Sequence, residues 1–284
     1  MTIDEIIISA LAEDIGDGDH TSLATIPAGI AGKAKLLVKD HGILCGVDLA
    51  KQIFQVVDPA ILVAISIRDG ASIKPGDVVF EVTGNRASIL RSERVVLNFM
   101  QRLSGIATAT HQAVKQLEGL KTKILDTRKT TPLLRELEKY AVRTGGGQNH
   151  RMGLYDMVLI KDNHVDYAGG IVQAINSVEA YFNRTGKKLK IEIEVRNFSE
   201  LHQVLDHGKI DRIMLDNFTV NDMHEAVRMI DGRFETEASG GITEETLRAY
   251  AETGVDYISM GALTHHIKSL DMSLKAEKPN TTDF

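Results

Sequence analysis

One cysteine, no tryptophan and five prolines among 284 residues exclude several readings at once. A lone Cys45 cannot close an intramolecular disulfide, and no metal-ligand spacing surrounds it, which suits a reducing compartment. Cys45 itself reads as a small buried apolar residue. No apolar run approaches the ~18 residues that a membrane span needs; A-I-L-V-A-I-S-I at 60–67 is far too short. The opening M-T-I-D-E-I-I-I-S-A has early acids and no basic segment, so no targeting peptide is expected, and the expected location is cytoplasmic. Excess positive charge is missing too: the net charge is -6 and the pI about 5.9, unlike the strongly basic surface of a nucleic-acid binder.

Against that acidic background, the segment Asp126–His164 gathers Arg128, Lys129, Arg135, Lys139, Arg143, His150, Arg151, Lys161 and His164 around a Gly-Gly-Gly run. Such a concentration implies a pocket for a small polyanion. A chain of this length buries roughly three quarters of its unfolded surface, as one large domain or two smaller ones.

The first hundred residues read as an irregular α+β order: a helix over 3–13, a loop at D-I-G-D-G-D-H-T, strands at K-A-K-L-L-V-K and I-L-V-A-I-S-I, and a K-P-G-D turn at 74–77. Residues 88–117 carry a helical pattern, with Val95, Val96, Phe99, Met100 and Leu103 in phase and a break expected near Ser104-Gly105. After Lys123 short β-type runs (K-I-L-D, M-V-L-I-K-D, K-I-E-I-E-V, R-I-M-L-D-N, F-E-T-E-A-S, Y-I-S-M-G) alternate with amphipathic helices expected near 132–143, 169–184, 199–207, 220–231, 244–253 and 262–270. Successive β-α units imply parallel strands. A barrel, complete or incomplete, is favoured over an open dinucleotide-binding sheet because no Gly-x-Gly-x-x-Gly turn follows the first strand.

In such barrels chemistry sits at the carboxyl ends of the strands. Here those ends carry Asp126 to Lys129, Lys161-Asp162-Asn163, Glu194, Asp216-Asn217, Ser239-Gly240-Gly241 and Gly261. In I-E-I-E-V the two-residue period puts Glu192 and Glu194 on one face, and with helices outside they must point inward. Buried carboxylates need a partner. Glu194 and Asp216 can hold Mg²⁺ or face a developing cation. Ser239, Gly240, Gly241 and Gly261 suit phosphate, since glycine lets backbone amides approach closely. Arg128, Arg151, His150, Lys129 and Lys161 are the anion candidates. Arg135, Lys139 and Arg143 alternate with Glu136 and Glu138 on a helix and read as surface ion pairs; His265-His266 reads as ordinary helix surface. Asp14, Asp17 and Asp19 read as a capped loop rather than a calcium loop.

Taken in order, E-D-I-G-D-G-D-H-T, S-E-R-V-V-L-N-F-M-Q-R-L-S-G-I-A-T-A-T, D-T-R-K-T-T-P-L-L-R, G-G-G-Q-N-H-R-M-G-L-Y-D-M-V-L-I-K-D-N-H, E-I-E-V, L-D-N, S-G-G-I and G-V-D-Y-I-S-M-G-A-L-T-H resemble the quinolinate phosphoribosyltransferase family along nearly the whole chain. The resemblance implies an α/β architecture of the type II phosphoribosyltransferase kind: an N-terminal α/β sandwich domain over 1–105 and an incomplete α/β barrel over 106–267, with 268–284 packing back on the first domain. It implies conversion of quinolinate and phosphoribosyl pyrophosphate, with Mg²⁺, to nicotinate mononucleotide, pyrophosphate and CO₂ in de novo NAD synthesis. It further implies a homodimer with shared active sites and no nucleic-acid or membrane partner. By the same resemblance Arg128, His150, Arg151, Lys129 and Lys161 bind carboxylates or phosphates, Arg94 reaches the partner's site, Glu194 and Asp216 serve ribose and metal, and Ser239, Gly240, Gly241 and Gly261 hold the 5-phosphate. Leu133 or Leu134 departs from the family, where a glycine is expected after T-T-P; a changed helix start is the expected effect. The alternative reading is a Schiff-base lyase or aldolase using Lys161 at a barrel strand end.

Overall fold

The computed structural model describes residues 1–277. In chain order its elements are α1 (Ile3–Ile15), α2 (His20–Thr25), β1 (Ala31–Val38), β2 (Gly42–Ile43), α3 (Val47–Val57), β3 (Leu62–Ile65), β4 (Ser72–Ile73), β5 (Val78–Asn85) and α4 (Arg86–Gln116). There follow β6 (Lys123–Leu125), α5 (Arg135–Thr144), β7 (Val158–Ile160), α6 (Asp162–Ala168), α7 (Ile171–Thr185), β8 (Ile191–Val195), α8 (Phe198–His207), β9 (Arg212–Asp216), α9 (Val220–Ile230), β10 (Glu235–Ser239), α10 (Glu244–Ala251), β11 (Tyr257–Ser259), α11 (Ala262–His265) and β12 (Met272–Ala276). They form two units: Met1–His111 with Thr131–Gly146 and the chain from His266, and Gln112–Thr130 with Gly147–His265. Of the tail 268–284, residues 278–284 lie outside the described residues.

The first unit is built on an antiparallel sheet of order β12-β1-β5-β3. Alternation along β1 buries Ala34, Leu36 and Val38 on one face, the two-residue period of a half-buried strand. Phe80 of β5 meets Phe54 of α3 edge to face at 5.9 Å, a favoured aromatic geometry. Pairing of β12 with β1, Leu36 opposite Leu274, makes the C-terminal strand part of this sheet.

α4 is one continuous helix of 31 residues, without the break expected at Ser104-Gly105. Gly105 serves close packing instead: a Cβ there would collide with the carbonyl of Lys268 and stand 3.3 Å from Ser269 Cα. Ser104 turns its hydroxyl to the Cys45 amide at 2.9 Å. Cys45 is fully buried, and burial pushes its thiol up to about 12, so it is an inert core residue. Asp19 caps α2 by accepting from the Ser22 amide, a short helix that the sequence pattern did not mark.

α5 corrects a second expectation. Glu138 and Lys139 were read as surface ion pairs, but both are fully buried within the first unit. Glu138 Oε1 accepts from Arg102 Nε and Nη2 at 2.9 and 2.7 Å, and its Oε2 from the Thr131 amide at 3.1 Å. Arg135 is half-buried and Arg143 exposed, the latter stacking over the Tyr140 ring.

The second unit is a six-stranded parallel sheet of order β6-β11-β10-β9-β8-β7, with helices of the same unit between successive strands from β7 to β11. Every residue of β8 is buried, so its outward isoleucines face helices and its glutamates face inward. Among the described residues β6 and β7 do not pair with each other; a single parallel bridge from Leu125 to Gln148 extends the β6 side. The barrel is therefore incomplete. The helix expected over 262–270 ends at His265, where Thr264 donates its hydroxyl to the Lys129 and Gly261 carbonyls. α6 begins inside the K-D-N-H motif read as a strand end, because the Lys161 amide donates to His164 Nδ1 and caps the helix.

Candidate active site

A cavity of about 620 Å³ opens at the carboxyl ends of the barrel strands, entirely within the second unit. Its wall includes Arg128, Lys129, His150, Arg151, Lys161, Glu194, Asp216, Ser239, Gly240, Gly241 and Gly261. Of the residues singled out in the sequence, Arg94 is absent from it: Arg94 is exposed on α4 in the first unit. His265, discounted as helix surface, lines the cavity, as do Thr127, Asp162, Asn217, Glu237 and Ser259.

Each wall residue is placed by its strand end. Thr127 Oγ1 accepts from the Lys129 amide at 3.0 Å, and Thr264 Oγ1 donates to the Lys129 carbonyl at 2.7 Å, tying the loop after β6 to the loop after β11. Gly261 makes room for this: a Cβ would sit 2.9 Å from Lys129 Cδ and 3.1 Å from His265 Nε2. Gly240 has φ +96, and a Cβ there would strike the Asn217 side-chain oxygen and approach the Asn217 amide nitrogen to 2.9 Å. Only glycine fits at that position. Behind the cavity, Asp126 holds the Q-N-H-R loop, accepting from Asn149 Nδ2 at 2.5 Å and from the His150 amide at 2.9 Å.

Arginine and lysine (Arg128, Lys129, Arg151, Lys161) are matched in the wall by as many acids (Asp162, Glu194, Asp216, Glu237). Their environments separate them. Burial, then the charge of Arg128, lowers the pKa of Arg151, as expected where two guanidinium groups share a region suited to an anion. Burial, then the charge of Asp216, raises Glu194; burial raises Asp216 as well. Two carboxylates that resist ionisation side by side favour a cation between them. Lys161 Nζ lies 3.7 Å from Glu194 Oε2. The Lys161 side chain is 49% exposed, not enclosed as the desolvated amine of a Schiff-base lysine would be.

A buried charged cluster reaches from the cavity wall, through His150 and Glu237, to Glu192 and Arg212 behind it. His150 Nε2 is 3.0 Å from Glu192 Oε2 and 3.4 Å from Glu237 Oε2; Arg212 Nη1 is 3.1 Å from Glu237 Oε2 and 4.0 Å from Glu192 Oε2. Burial pulls the imidazole pKa down, but the two carboxylates beside it outweigh burial and raise it to about 9. Burial, then the charge of Glu237, raises Glu192 to about 7. His150 and Glu192 thus hold protons to higher pH than they would alone, whereas Glu237, raised by burial but lowered more by His150, is shifted the other way. His150, Glu192 and Glu237 also stand close enough together to offer three ligand atoms to a metal. Arg212 already supplies the cation there, so the cluster reads as an ion-pair network. Glu237 and Arg212 escaped the sequence reading, although E-T-E in β10 repeats the alternation that revealed Glu192 and Glu194.

Fold and cavity together define an α/β protein with a strongly charged cavity at the top of an incomplete parallel barrel. The chain belongs to the quinolinate phosphoribosyl transferase family: the family's N-terminal domain matches residues 19–104 and its C-terminal domain residues 106–275. It is 48% identical to a quinolinate phosphoribosyltransferase [decarboxylating] of Nicotiana tabacum, covering 96% of this chain and 81% of the relative. Identity to a probable nicotinate-nucleotide pyrophosphorylase [carboxylating] of Bacillus subtilis is 44%, with 94% and 91% covered. Among solved structures, the nicotinate-nucleotide pyrophosphorylase of Francisella tularensis superposes with a TM-score of 0.91 at 41% identity, covering 97% of this chain and 96% of that one.

Proposed function

We propose that this protein is an enzyme that transfers phosphoribosyl from phosphoribosyl pyrophosphate to quinolinate with decarboxylation, giving nicotinate mononucleotide, pyrophosphate and CO₂ for de novo NAD synthesis. The observation that carries the reading is the single cavity that unites Arg128, Lys129, Arg151 and Lys161 with Glu194, Asp216 and the Ser239–Gly241 turn. Quinolinate is a dianion and its cosubstrate carries more negative charge still. Bringing them together needs cations on several sides, and a low-dielectric cavity makes each cation count for more than it would in water.

Arg128 and Arg151 take the acceptor's carboxylates, for which guanidinium forks are suited. Lys129 and Lys161 face the phosphates as point charges, and the turn at Ser239–Gly241 with Gly261 receives the 5-phosphate. When pyrophosphate departs, positive charge develops on the ribose, and Glu194 and Asp216 stand on that side of the cavity to stabilise it. The ring nitrogen attacks the sugar carbon and becomes cationic; that charge accepts the electron pair left as the neighbouring carboxylate departs as CO₂, and the carbon then takes a proton. No organic cofactor is required. The donor set suits Mg²⁺: Glu194 and Asp216 would hold it, directly or through water, and the ion would neutralise pyrophosphate as it leaves.

Arg94, exposed on α4, completes the site of a second copy in a homodimer. No helix of the described residues is long and apolar enough to cross a membrane, and we place the enzyme in the cytoplasm. The test is pyrophosphate release, measured with quinolinate, nicotinate and nicotinamide as acceptors. Release with quinolinate alone, Mg²⁺-dependent and matched by CO₂, supports the reading; CO₂ without the phosphoribosyl donor, or preference for another acceptor, refutes it. Sharing is tested by mixing Arg94→Ala and Lys161→Ala proteins. Hybrid dimers should regain part of the activity, and no recovery despite subunit exchange rules sharing out.

A further inference from the structure

We infer that Tyr250, which lies outside the cavity, is a positioning residue for Asp216, its hydroxyl clamping the two-residue link that follows this carboxylate. The inference rests on the proposed activity and deepens it. β9 ends at Asp216, and Thr219 caps α9 by accepting from the Asp222 amide, so only Asn217 and Phe218 join strand to helix. Asn217 turns the chain at φ +56, a left-handed conformation that strains most L-residues and that asparagine tolerates better than most. Such a conformation persists where its surroundings over-determine it.

The contacts that do so all lie within the second unit. The Asn217 amide donates to the Ser239 carbonyl at 2.9 Å. Its side-chain Nδ2 donates to Asp216 Oδ2 at 2.6 Å, which holds one carboxylate oxygen and leaves Oδ1 for the charge that develops in the cavity. Phe218 secures the far end. It is buried, its ring meets Phe198 of α8 edge to face at 5.4 Å, and its carbonyl accepts from the Tyr250 hydroxyl at 2.9 Å. Tyr250 is half-buried on α10, the helix that leaves the Ser239–Gly241 turn, and it does not line the cavity. The Asp216 loop is therefore tied to the β10–α10 segment twice, by main chain at Ser239 and by side chain at Tyr250. Without the hydroxyl, the peptide after Phe218 loses its fixed acceptor, and Asn217 can relax toward commoner backbone regions and carry its amide group off Asp216.

The experiment is steady-state kinetics of pyrophosphate release by full-length Tyr250→Phe, which removes one oxygen and keeps the ring. Deleting a preorganised group aimed at developing charge costs on the order of 10²–10³ in kcat, and loosening one should lower kcat about tenfold. KM for quinolinate and for phosphoribosyl pyrophosphate should stay within about twofold, because the carboxylate acts on charge present only in the transition state. Thr253→Val is the control for a merely structural role. It strips a buried hydroxyl that donates to the Tyr250 carbonyl at 2.6 Å, just past the end of the same helix, and should keep native kcat. Asn217→Gly is unstrained at that φ but loses the bond to Asp216, so it should show the same selective fall. The Tyr250→Phe, Asn217→Gly double variant should fall little further, as expected for residues acting through one carboxylate. A roughly hundredfold fall in the double variant, the product of independent effects, overturns the inference. So does a native kcat in Tyr250→Phe, with or without a change in KM, or an equal fall in Thr253→Val. If Tyr250→Phe does not fold, Phe198→Leu, which trims the other contact on Phe218, decides by the same split between kcat and KM. Native protein that releases no pyrophosphate with quinolinate refutes the proposed activity instead, which keeps the two failures apart.

Discussion

Replacing Gly240 by alanine tests the phosphate turn at its tightest point. The residue sits at φ +96, and an added methyl would meet the Asn217 side-chain oxygen and lie 2.9 Å from the Asn217 amide nitrogen. An L-residue held in such a sparsely populated region costs about 1–3 kcal/mol. The clash adds to this because Asn217 is itself held: its amide donates to the Ser239 carbonyl at 2.9 Å and its side chain to Asp216 at 2.6 Å. The smaller backbone entropy of alanine in the unfolded chain returns about 0.5–1 kcal/mol, so a net loss of about 2–3 kcal/mol is expected from urea unfolding. If the turn receives the 5-phosphate, a displacement of about 1 Å should also raise KM for phosphoribosyl pyrophosphate on the order of a hundredfold. Gly241→Ala is the control: φ is +60 and nothing lies within 4 Å of its Cβ position, so only the left-handed cost of about 1–2 kcal/mol applies. Equal losses in the two variants, or a Gly240→Ala enzyme with native KM and stability, would refute this account of the turn.

Other perturbations have equally definite outcomes. Leu133 is 66% exposed at φ +69, so Leu133→Gly should raise stability by about 0.5–1 kcal/mol in thermal unfolding without changing turnover. Glu138→Ala strips the buried acceptor from Arg102 and the Thr131 amide and should cost about 3–5 kcal/mol in urea unfolding; a loss below about 1 kcal/mol would place that pair among surface bridges. Thr264→Val removes the hydroxyl that holds the Lys129 carbonyl and should cost about 1 kcal/mol, visible as a lowered unfolding midpoint. The raised pKa of His150 makes the native state retain a proton that the unfolded chain releases above about 6.5. Its stabilisation is present below that pH and lost as pH rises to about 9; the urea unfolding free energy should fall by up to about 3 kcal/mol across that window, and His150→Gln should flatten the profile.

Much of the barrel was legible because its strands are buried on both faces and end abruptly in polar residues, a contrast that survives in sequence. Glu194 and Asp216 stand out for that reason, and so do Lys161 and the Ser239–Gly241 turn. What escaped was set by partners far along the chain. Gly105 reads as a helix break, yet its lack of a side chain answers to the backbone at Lys268 and Ser269. Lys139 alternates with acids in a pattern that means surface when viewed alone, while burial of α5 in the first unit encloses it. His265 follows the short turn after β11 and shares the space that Gly261 leaves for Lys129, a closeness that spacing does not carry. The start of α6 depended on one amide donating to His164 Nδ1, a local bond that competes directly with strand continuation.

The division of labour inside the barrel follows from where each charge lies along its strand. Register pairs Glu192 with Arg212 and Arg212 with Glu235 across three neighbouring strands, so opposite charges meet in the lower part of the interior, where desolvation is costly and must be offset by pairing. Further up the same strands, Asp216 pairs in register with Ser239, Glu194 faces the cavity, and the like charges of Glu194 and Asp216 are left to resist each other at the border with solvent. An interior charge that is paired below holds geometry, and one that is crowded by its like above attracts a cation or a cationic transition state. A single two-residue period therefore produces both the rigid floor and the reactive wall. It also predicts that charge removal will act differently with height: Glu237→Gln should lower stability and quinolinate affinity together, whereas Glu194→Gln, which relieves repulsion with Asp216, should leave the fold as stable or more so while turnover collapses. Unfolding and turnover measured on the same two preparations decide it, and a destabilised Glu194→Gln would show that the upper carboxylates are structural.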